Sequence, residues 1–388
     1  MTRRPAALCG ALLLVLSAAP GRAQTACEPG RGPSVRAEEL REMIEGGGPV
    51  SVPSGAAIVG AIDRTVLCPG VPDDAVPCIV PAPLKLACTQ ITAPLALRNV
   101  VVDGELDLSG ADLPAGLSLE SSEILGDLSL TGARVGGDVL LDRVLVGGAT
   151  LVDRATIEGR FAATGLRSLG SLSLDQSRVS RGAEIRGAAI GGDVALGLGG
   201  GPSLTFAKSV ALGAASLRGL KLSGALALED LALAGALDGE GLDIGGDAKA
   251  TRVAAPDGVM IGGKFRRDLT FDALQADGEL SVTNSAVDGN LVLLRVVLGG
   301  DVVVTEVQVG KTLRIEGSDI AQGVDLSGTT VGGELVLISS RFGALVDVGN
   351  ARLTARPRVV ACTPANPLGE EEPGDVAPID EEPEDSGD

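Results

Sequence analysis

One short phrase, a glycine followed by apolar residues at its third and fifth places, recurs from Gly104 to Thr354. Its copies read G-x-L-x-L, with Val accepted for Leu, and they begin at Gly126, Gly137, Gly289, Gly300 and Gly333. Copies 126 and 137 lie eleven residues apart, as do copies 289 and 300. A short fixed period with alternating apolar residues inside each copy is typical of a β-solenoid, in which each repeat packs only on its neighbours. The repeat therefore predicts the fold of most of the chain.

Each eleven-residue unit contains two apolar pairs. In residues 137–147 these pairs are Val139 with Leu141 and Val144 with Val146. Because residues two apart in a strand point the same way, both members of a pair face the interior. One pair forms one face, so two units close a four-sided coil of roughly 22 residues. The sequence thus predicts an all-β, parallel β-solenoid of about 11 to 12 coils over 104–354.

Composition limits both the interior and the chemistry of this solenoid. Hydrophobic residues make up 45% of the chain, but aromatic residues only 1%, and Trp, Tyr and His are absent. The interior must therefore be built from Leu, Val, Ile and Ala. Without His or a Cys-x-x-Cys pair, a zinc site is not expected, and no nucleophile elbow, phosphate loop or dinucleotide fingerprint stands in a suitable context. We expect a non-enzyme with no cofactor, no metal and no catalytic residue.

The N-terminus has the features of a secretory signal peptide over residues 1–23. Arg3 and Arg4 form a basic start, Ala6 to Ala19 is apolar, and Ala23 is a small residue at the cleavage position. About fourteen apolar residues are too few to span a bilayer, so no transmembrane segment is expected. The sequence predicts a secreted or periplasmic protein. Lipid attachment at Cys27 is disfavoured because the residues before it lack the expected leucine.

The flanks of the repeat divide the chain further. The predicted parts are a signal peptide (1–23), an N-terminal cap with a helix at 34–45 and irregular first coils (24–98), the solenoid (99–354), a C-terminal cap (355–368) and a disordered acidic tail (369–388). A helix over the first coil would cover an otherwise open end of the core. The alternative for 355–368 is that two C-terminal ends abut in a homodimer.

Five cysteines follow the signal peptide. Export favours disulfides, and Cys68 and Cys78 flank a turn-rich stretch that a bridge between them would close, which leaves Cys27 with Cys88. The alternative bridge Cys68–Cys88 stays open, because twenty residues is close to one coil. Cys362 follows the last repeat, too far away for a bridge to the others, and is predicted to be free or paired between chains.

The alternation of small and apolar residues resembles that of the pentapeptide-repeat proteins. Gly132–Gly136 and Gly187–Gly191 match their pattern well, Ser327–Val331 matches it loosely, and the resemblance covers residues 50–354. It implies a right-handed, quadrilateral β-helix. The period is nearer eleven than ten, and bactofilin-like, polymer-forming β-helices are the second structural resemblance. The regularity fails at Gly197–Pro202 and at Asp238–Arg267, where loops are expected to point outward.

Acidic residues supply two candidate sites. Four Gly-Gly-Asp triplets end at Asp138, Asp193, Asp247 and Asp301, and we interpret these carboxylates as acceptors for backbone amides at corners. A second set alternates outward if Leu106 and Leu108 face inward, namely Asp103, Glu105 and Asp107. This triplet would hold a divalent cation or cleave sugars as a carboxylate pair, but a solvated face accounts for it equally simply.

Basic residues form the third candidate. Lys264, Arg266 and Arg267 cluster at the second break, where they would receive an acidic ligand, such as the chain's own tail, or form surface ion pairs. The whole chain has a formal charge of −19, which argues against nucleic acid as a partner because phosphate binding needs a basic surface.

Three functions follow in order of preference. The first is an exported, non-catalytic scaffold or interaction protein whose partner is an unknown protein or envelope component. The alternative is a carbohydrate-active β-helix enzyme that uses surface carboxylates. The third is an acidic DNA mimic, as some pentapeptide-repeat proteins are, although export would separate it from its target.

Overall fold

A computed structural model describes residues 27–48, 50–71 and 76–369 of the chain. The predicted signal peptide and residues 370–388 of the predicted acidic tail lie outside the described residues. Within them the protein is an all-β, parallel solenoid of about 15 turns, as the repeat predicts. The count exceeds the 11 to 12 coils of the regular repeat because coils continue on both sides of it.

Each coil contributes to four columns of strands, which we number as faces in chain order. In one coil, face 1 contains Leu106–Asp107, face 2 Asp112–Leu113, face 3 Leu117–Glu120 and face 4 Glu123–Ile124. Each strand pairs in parallel with its equivalent one coil later, for example Leu117 with Val139. The period is 22 residues in most coils, twice the eleven-residue unit.

The strands of faces 1 and 2 are mostly two residues long. Those of face 1 are Val50–Ser51, Leu84–Lys85, Leu106–Asp107, Leu128–Ser129, Thr150–Leu151, Leu172–Ser173, Val194–Ala195, Ala215–Ser216, Val324–Asp325 and Val346–Asp347. Those of face 2 are Ser34–Arg36, Ala57–Val59, Gln90–Ile91, Asp112–Leu113, Arg134–Val135, Thr156–Ile157, Arg178–Val179, Lys221–Leu222, Thr330–Val331 and Arg352–Leu353. Four longer strands run across both faces: Leu237–Ile244, Val259–Phe265, Leu280–Val287 and Val302–Val309.

Faces 3 and 4 complete each coil. The strands of face 3 are Ile62–Asp63, Leu95–Arg98, Leu117–Glu120, Val139–Asp142, Phe161–Thr164, Ala183–Arg186, Leu269–Asp272, Leu291–Leu294, Leu313–Glu316, Leu335–Ile338 and Arg358–Val360. Those of face 4 are Cys78–Val80, Val100–Val102, Glu123–Ile124, Leu145–Val146, Arg167–Ser168, Ala189–Ile190, Gln275–Ala276, Val297–Leu298, Asp319–Ile320 and Arg341–Phe342. Three strands run across faces 3 and 4: Leu204–Ala211, Leu226–Leu233 and Ala248–Ala254.

The apolar pairs of the repeat form the core. Val139, Leu141, Val144 and Val146, the pairs of one unit, are each at most 1% exposed. Since equivalent residues stack directly above one another, each inward column is a continuous row of Leu, Val and Ile. Full burial of such a side chain contributes roughly 1.5–3 kcal/mol, so the row stabilises every coil through its two neighbours.

Two opposite corners of the coil use left-handed backbone. The corner between faces 3 and 4 places Asn99, Ser121, Arg143 and their equivalents at φ values near +50°. The corner between faces 1 and 2 does the same with residues such as Gly110, at +64°. One left-handed residue turns the chain sharply while the flanking strands stay extended.

The other two corners are built from glycine and aspartate. Asp138 Oδ1 accepts a hydrogen bond of 3.0 Å from the backbone amide of Arg160, which lies one coil later. Asp193 and Asp301 accept in the same way from Ala214 and Gly323, at 2.9 and 2.7 Å. The prediction of structural corner carboxylates is therefore supported, but their partner is the next coil rather than a nearby amide. Each eleven-residue unit thus contains one left-handed corner and one Gly-Asp corner.

A helix covers the N-terminal end of the core. It spans Ala37–Glu45, not 34–45 as predicted, because Ser34–Arg36 form a strand that pairs with Ala57–Val59. Leu40 and Ile44 are buried in the first coil. A second, short helix, Arg64–Leu67, begins at Asp63, whose side chain accepts from two amides of its first turn.

Two disulfides lie in these first coils. Cys68 is bonded to Cys78 across the excursion between faces 3 and 4, and Cys27 is bonded to Cys88 at the corner of faces 1 and 2. Of the two pairings that the sequence left open, the structure has this one. Cys362 is a free, buried thiol in the last coil.

The coil continues beyond Thr354. Arg358–Val360 adds to face 3 on Leu335–Ile338, and the carbonyl of Pro367 accepts 2.7 Å from the amide of Val346 on face 1. Residues 355–368 thus form a further coil.

The Gly-Asp corner makes a first prediction. A methyl group at Gly159 would overlap Asp138 Oδ1 and the carbonyl of Gly137, so Gly159→Ala must push two coils apart. We expect a loss of about 1–3 kcal/mol in unfolding free energy, as for overpacking. Urea unfolding followed by far-ultraviolet circular dichroism measures it. Gly200→Ala is the matched control, since its methyl meets no atom within 4 Å; equal stability of both variants would contradict the account.

The disulfides make a second prediction. Mass spectrometry of the unreduced protein after proteolysis should yield peptides that join Cys27 to Cys88 and Cys68 to Cys78. Recovery of a Cys68–Cys88 peptide would contradict this pairing. Replacing both Cys27 and Cys88 by Ser should destabilise the protein more than replacing Cys68 and Cys78, because the first bridge closes 61 residues and the second 10.

Candidate functional site: a basic groove at the interrupted coil

Face 2 is interrupted at one coil. Between the strands Arg178–Val179 and Lys221–Leu222, the intervening coil contributes only one isolated bridge, from Gly200 to Arg178. Pro202 occupies the place of Ser180, whose amide donates 2.8 Å to the coil before it; proline has no N–H and cannot repeat this bond. After Pro202 the corner is one residue short, since Ala183 pairs with Leu204 at a spacing of 21.

The interruption opens a groove. Gly199, Gly200 and Gly201 stand where neighbouring coils present side chains, so the surface drops between Arg178 on one side and Lys221 on the other. The groove has a volume of about 700 Å³. Its lining comprises Arg178, Val179, Ser180, Gly199, Gly200, Gly201, Pro202, Lys221, Leu222, Ser223, Asp243, Gly245 and Arg266. Leu198, fully buried, supplies an apolar side chain to the core of this coil.

The second break shapes the far side of the groove. The expected outward loop at Asp238–Arg267 is wrong: most of this stretch forms the long strands Leu237–Ile244 and Val259–Phe265. The register between them shifts at one corner, where Gly263 has a φ of +143° and a Cβ would overlap Leu242. This tight corner lets the chain continue onto face 2.

The structure places the predicted basic residues around this groove. Lys264 follows Lys221 and Asp243 in one outward column of face 2, and Arg266 lines the groove itself. Arg267 lies at the next corner, outside the lining. Sequence reasoning missed Arg178 and Lys221, which stand two coils apart; the glycine run at the column position between them was the available signal.

Cations on face 2 differ from those elsewhere in being unpaired. Among the described residues, no ion pair involves Arg178, Lys221, Lys264 or Arg266, and all four are exposed. Asp243 is the acid between two of the lysines, and it too makes no ion pair within the described ranges. In a chain of charge −19, this face therefore presents a local excess of positive charge.

On the other faces, arginines pair with acids of the adjacent coil. Arg252 bonds to Asp230 and Arg341 to Asp319, each 22 residues apart. The hydrogen bond from Arg252 lowers the pKa of Asp230, and that from Arg341 lowers the pKa of Asp319. Such matched surface pairs contribute little stability individually, but they leave no charge available for a ligand.

The acidic triplet does not assemble into a site. Leu106 and Leu108 face inward as expected, but Gly104, with a φ of +129°, places a corner between Asp103 and Glu105. Glu105 forms an ion pair of 3.0 Å with Lys85, and Asp107 accepts 3.0 Å from the amide of Ser109. Throughout the described part of the chain, no group of three His, Cys, Asp or Glu side chains could hold a metal ion.

Neither helix of the described residues is long and apolar enough to cross a membrane. Comparison of the chain with protein-family models, with curated proteins and with solved structures found no match. The resemblance to pentapeptide-repeat proteins or bactofilins therefore depends on the sequence pattern, and the structure supports the broader class of β-helix repeat proteins.

Proposed function

We propose that the protein is an exported, non-catalytic β-solenoid interaction protein of the pentapeptide-repeat type, and that it binds an anionic partner in the groove of face 2. The observation that carries this proposal is the coincidence of a glycine-lined groove with Arg178, Lys221 and Arg266, none of which has an acidic partner among the described residues. Arginine and lysine on the two walls of a groove suit a carboxylate-, sulfate- or phosphate-bearing chain.

Three further features support the proposal. Two disulfides suit an extracytoplasmic compartment. The solenoid stacks its coils through continuous backbone hydrogen bonds, so the cations on face 2 are held at fixed spacings of about 4.8 Å per coil. Outward residues along the floor are glycines, which let an extended ligand approach the backbone closely.

The alternative functions receive no comparable support. A carbohydrate-active enzyme would need the carboxylates of Asp103, Glu105 and Asp107, and Glu105 is already paired with Lys85. A DNA mimic would need an acidic surface, whereas face 2 presents unpaired cations.

Charge variants in the groove test the proposal. Binding of fluorescein-labelled poly-L-glutamate and dextran sulfate is measured by anisotropy at low and physiological salt. Lys221→Glu and Arg266→Glu should each weaken binding about fivefold, since an exposed charge pair contributes about 1 kcal/mol. Asp243→Asn should strengthen it, because it removes the acid between Lys221 and Lys264. Higher salt should weaken every interaction.

The matched control is Lys249→Glu, which makes the same charge change on face 3, away from the groove. It should bind like the parent protein. If Lys249→Glu and Lys221→Glu weaken binding equally, the interaction reflects net charge alone, and the groove is not the binding site.

A further inference from the structure

The groove and the end of the chain have opposite charges. Residues 370–388 contain ten acids and no base: Glu370, Glu371, Glu372, Asp375, Asp380, Glu381, Glu382, Glu384, Asp385 and Asp388. The groove presents Arg178, Lys221 and Arg266 without ion-pair partners in the described part of the chain. The acidic segment is thus an anionic ligand that the protein itself supplies.

The described chain ends next to the face that contains the groove. The carbonyl of Pro367 bonds to the amide of Val346, and Leu368 packs against the core. Both contacts place residues 367–368 on face 1 of the terminal coil. Because face 2 follows face 1 in every coil, the chain leaves the described region at the edge of face 2.

The acidic segment is long enough to reach the groove. The outward column of face 2 runs from Arg352 through Thr330, Gln308 and Ala286 to Lys264. At about 4.8 Å per coil, Lys264 lies about 24 Å and Lys221 about 34 Å from the terminal coil. Arg178, two coils beyond Lys221, lies about 43 Å away. Nineteen extended residues span about 63 Å, which exceeds all three distances.

The surface between the two is open to such a segment. The intervening outward residues of face 2, Thr330, Gln308 and Ala286, are small or neutral, and Lys311 is an exposed cation beside them. Asp288 is the exposed acid of this stretch. No large apolar side chain or continuous acidic row stands between the terminal coil and Lys264.

We propose that the acidic segment 370–388 binds along face 2 of its own chain, with carboxylates in the groove, so that an external anionic partner must displace it. The inference depends on the proposed function, because it assigns an occupant to the same groove. A tethered ligand acts at an effective concentration on the order of 1 mM. If the free segment binds with a Kd on the order of 0.1 mM, the tether weakens binding of an added competitor about tenfold.

The test compares two full-length chains. One is native, and in the other all ten acids of 370–388 are replaced by the corresponding amides. The probe is a fluorescein-labelled peptide with the native sequence of 370–388, and its binding is measured by anisotropy. The amide chain should bind the peptide about tenfold more tightly than the native chain, and 0.5 M salt should abolish the difference.

Two further variants in the amide chain locate the site. Gly200→Leu should abolish peptide binding because it fills the groove; a Cβ there meets no atom within 4 Å, so the variant should fold. Lys249→Glu on face 3 should leave binding unchanged. Loss of peptide binding in both variants would contradict the groove as the site.

The outcomes separate this inference from the proposed function. If native and amide chains bind the peptide equally, and Gly200→Leu weakens both, the groove binds anions but its own tail does not occupy it, which overturns the inference alone. If Gly200→Leu changes binding of neither peptide nor dextran sulfate, both proposals fail. If the weakening in the native chain appears only at protein concentrations where light scattering detects a dimer, the occupant is the segment of a second copy, and binding within one chain is refuted.

Discussion

The hydrogen bonds between successive coils determine the rest of this structure. Each coil of 22 residues must bring every strand into register with the one before it, and only the four corners can adjust the length. Two corners use a left-handed residue, and two use a glycine that lets an aspartate of one coil reach the amide of the next. The Gly-Asp pairs therefore clamp neighbouring coils, which explains why the acids recur without forming a metal site.

The groove is a local failure of the same rule. At 199–203, glycines remove the outward side chains and Pro202 removes an amide donor, so one coil loses its strand on face 2 while faces 1, 3 and 4 continue. The core is preserved because Leu198 is buried in this coil. The protein thereby gains a concave surface on an otherwise straight rod. The cations that line it keep their charge available because no acid of an adjacent coil stands within ion-pair distance of them.

Sequence reasoning predicted those features that depend on residues close in the chain. The inward pairs Val139/Leu141 and Val144/Val146 were predicted from alternation alone, and all four are buried. The start of the first helix was wrong because Ser34–Arg36 pairs with Ala57–Val59, a long-range contact that outweighs the capping signal at Ser34. The partner of Asp138 was likewise predicted too locally, since its amide lies 22 residues away.

The candidate site was predicted only in part for the same reason. Lys264, Arg266 and Arg267 stood out because they adjoin one another. Arg178 and Lys221 could be found only by following one outward column through two coils, across a coil that is one residue short. That irregular spacing shifts the register by which the columns are aligned, so the groove emerges from the three-dimensional stacking.

Amide hydrogen exchange tests the central claim, that the interrupted coil of face 2 is a binding site for anions, most directly. It is measured on the full-length chain with its ten tail acids replaced by amides, with and without dextran sulfate. The account predicts slower exchange confined to residues 199–203 and 221–223 and to the face 2 amides of the coils beside them. Unchanged exchange at these residues, or equal slowing on faces 3 and 4, would contradict it.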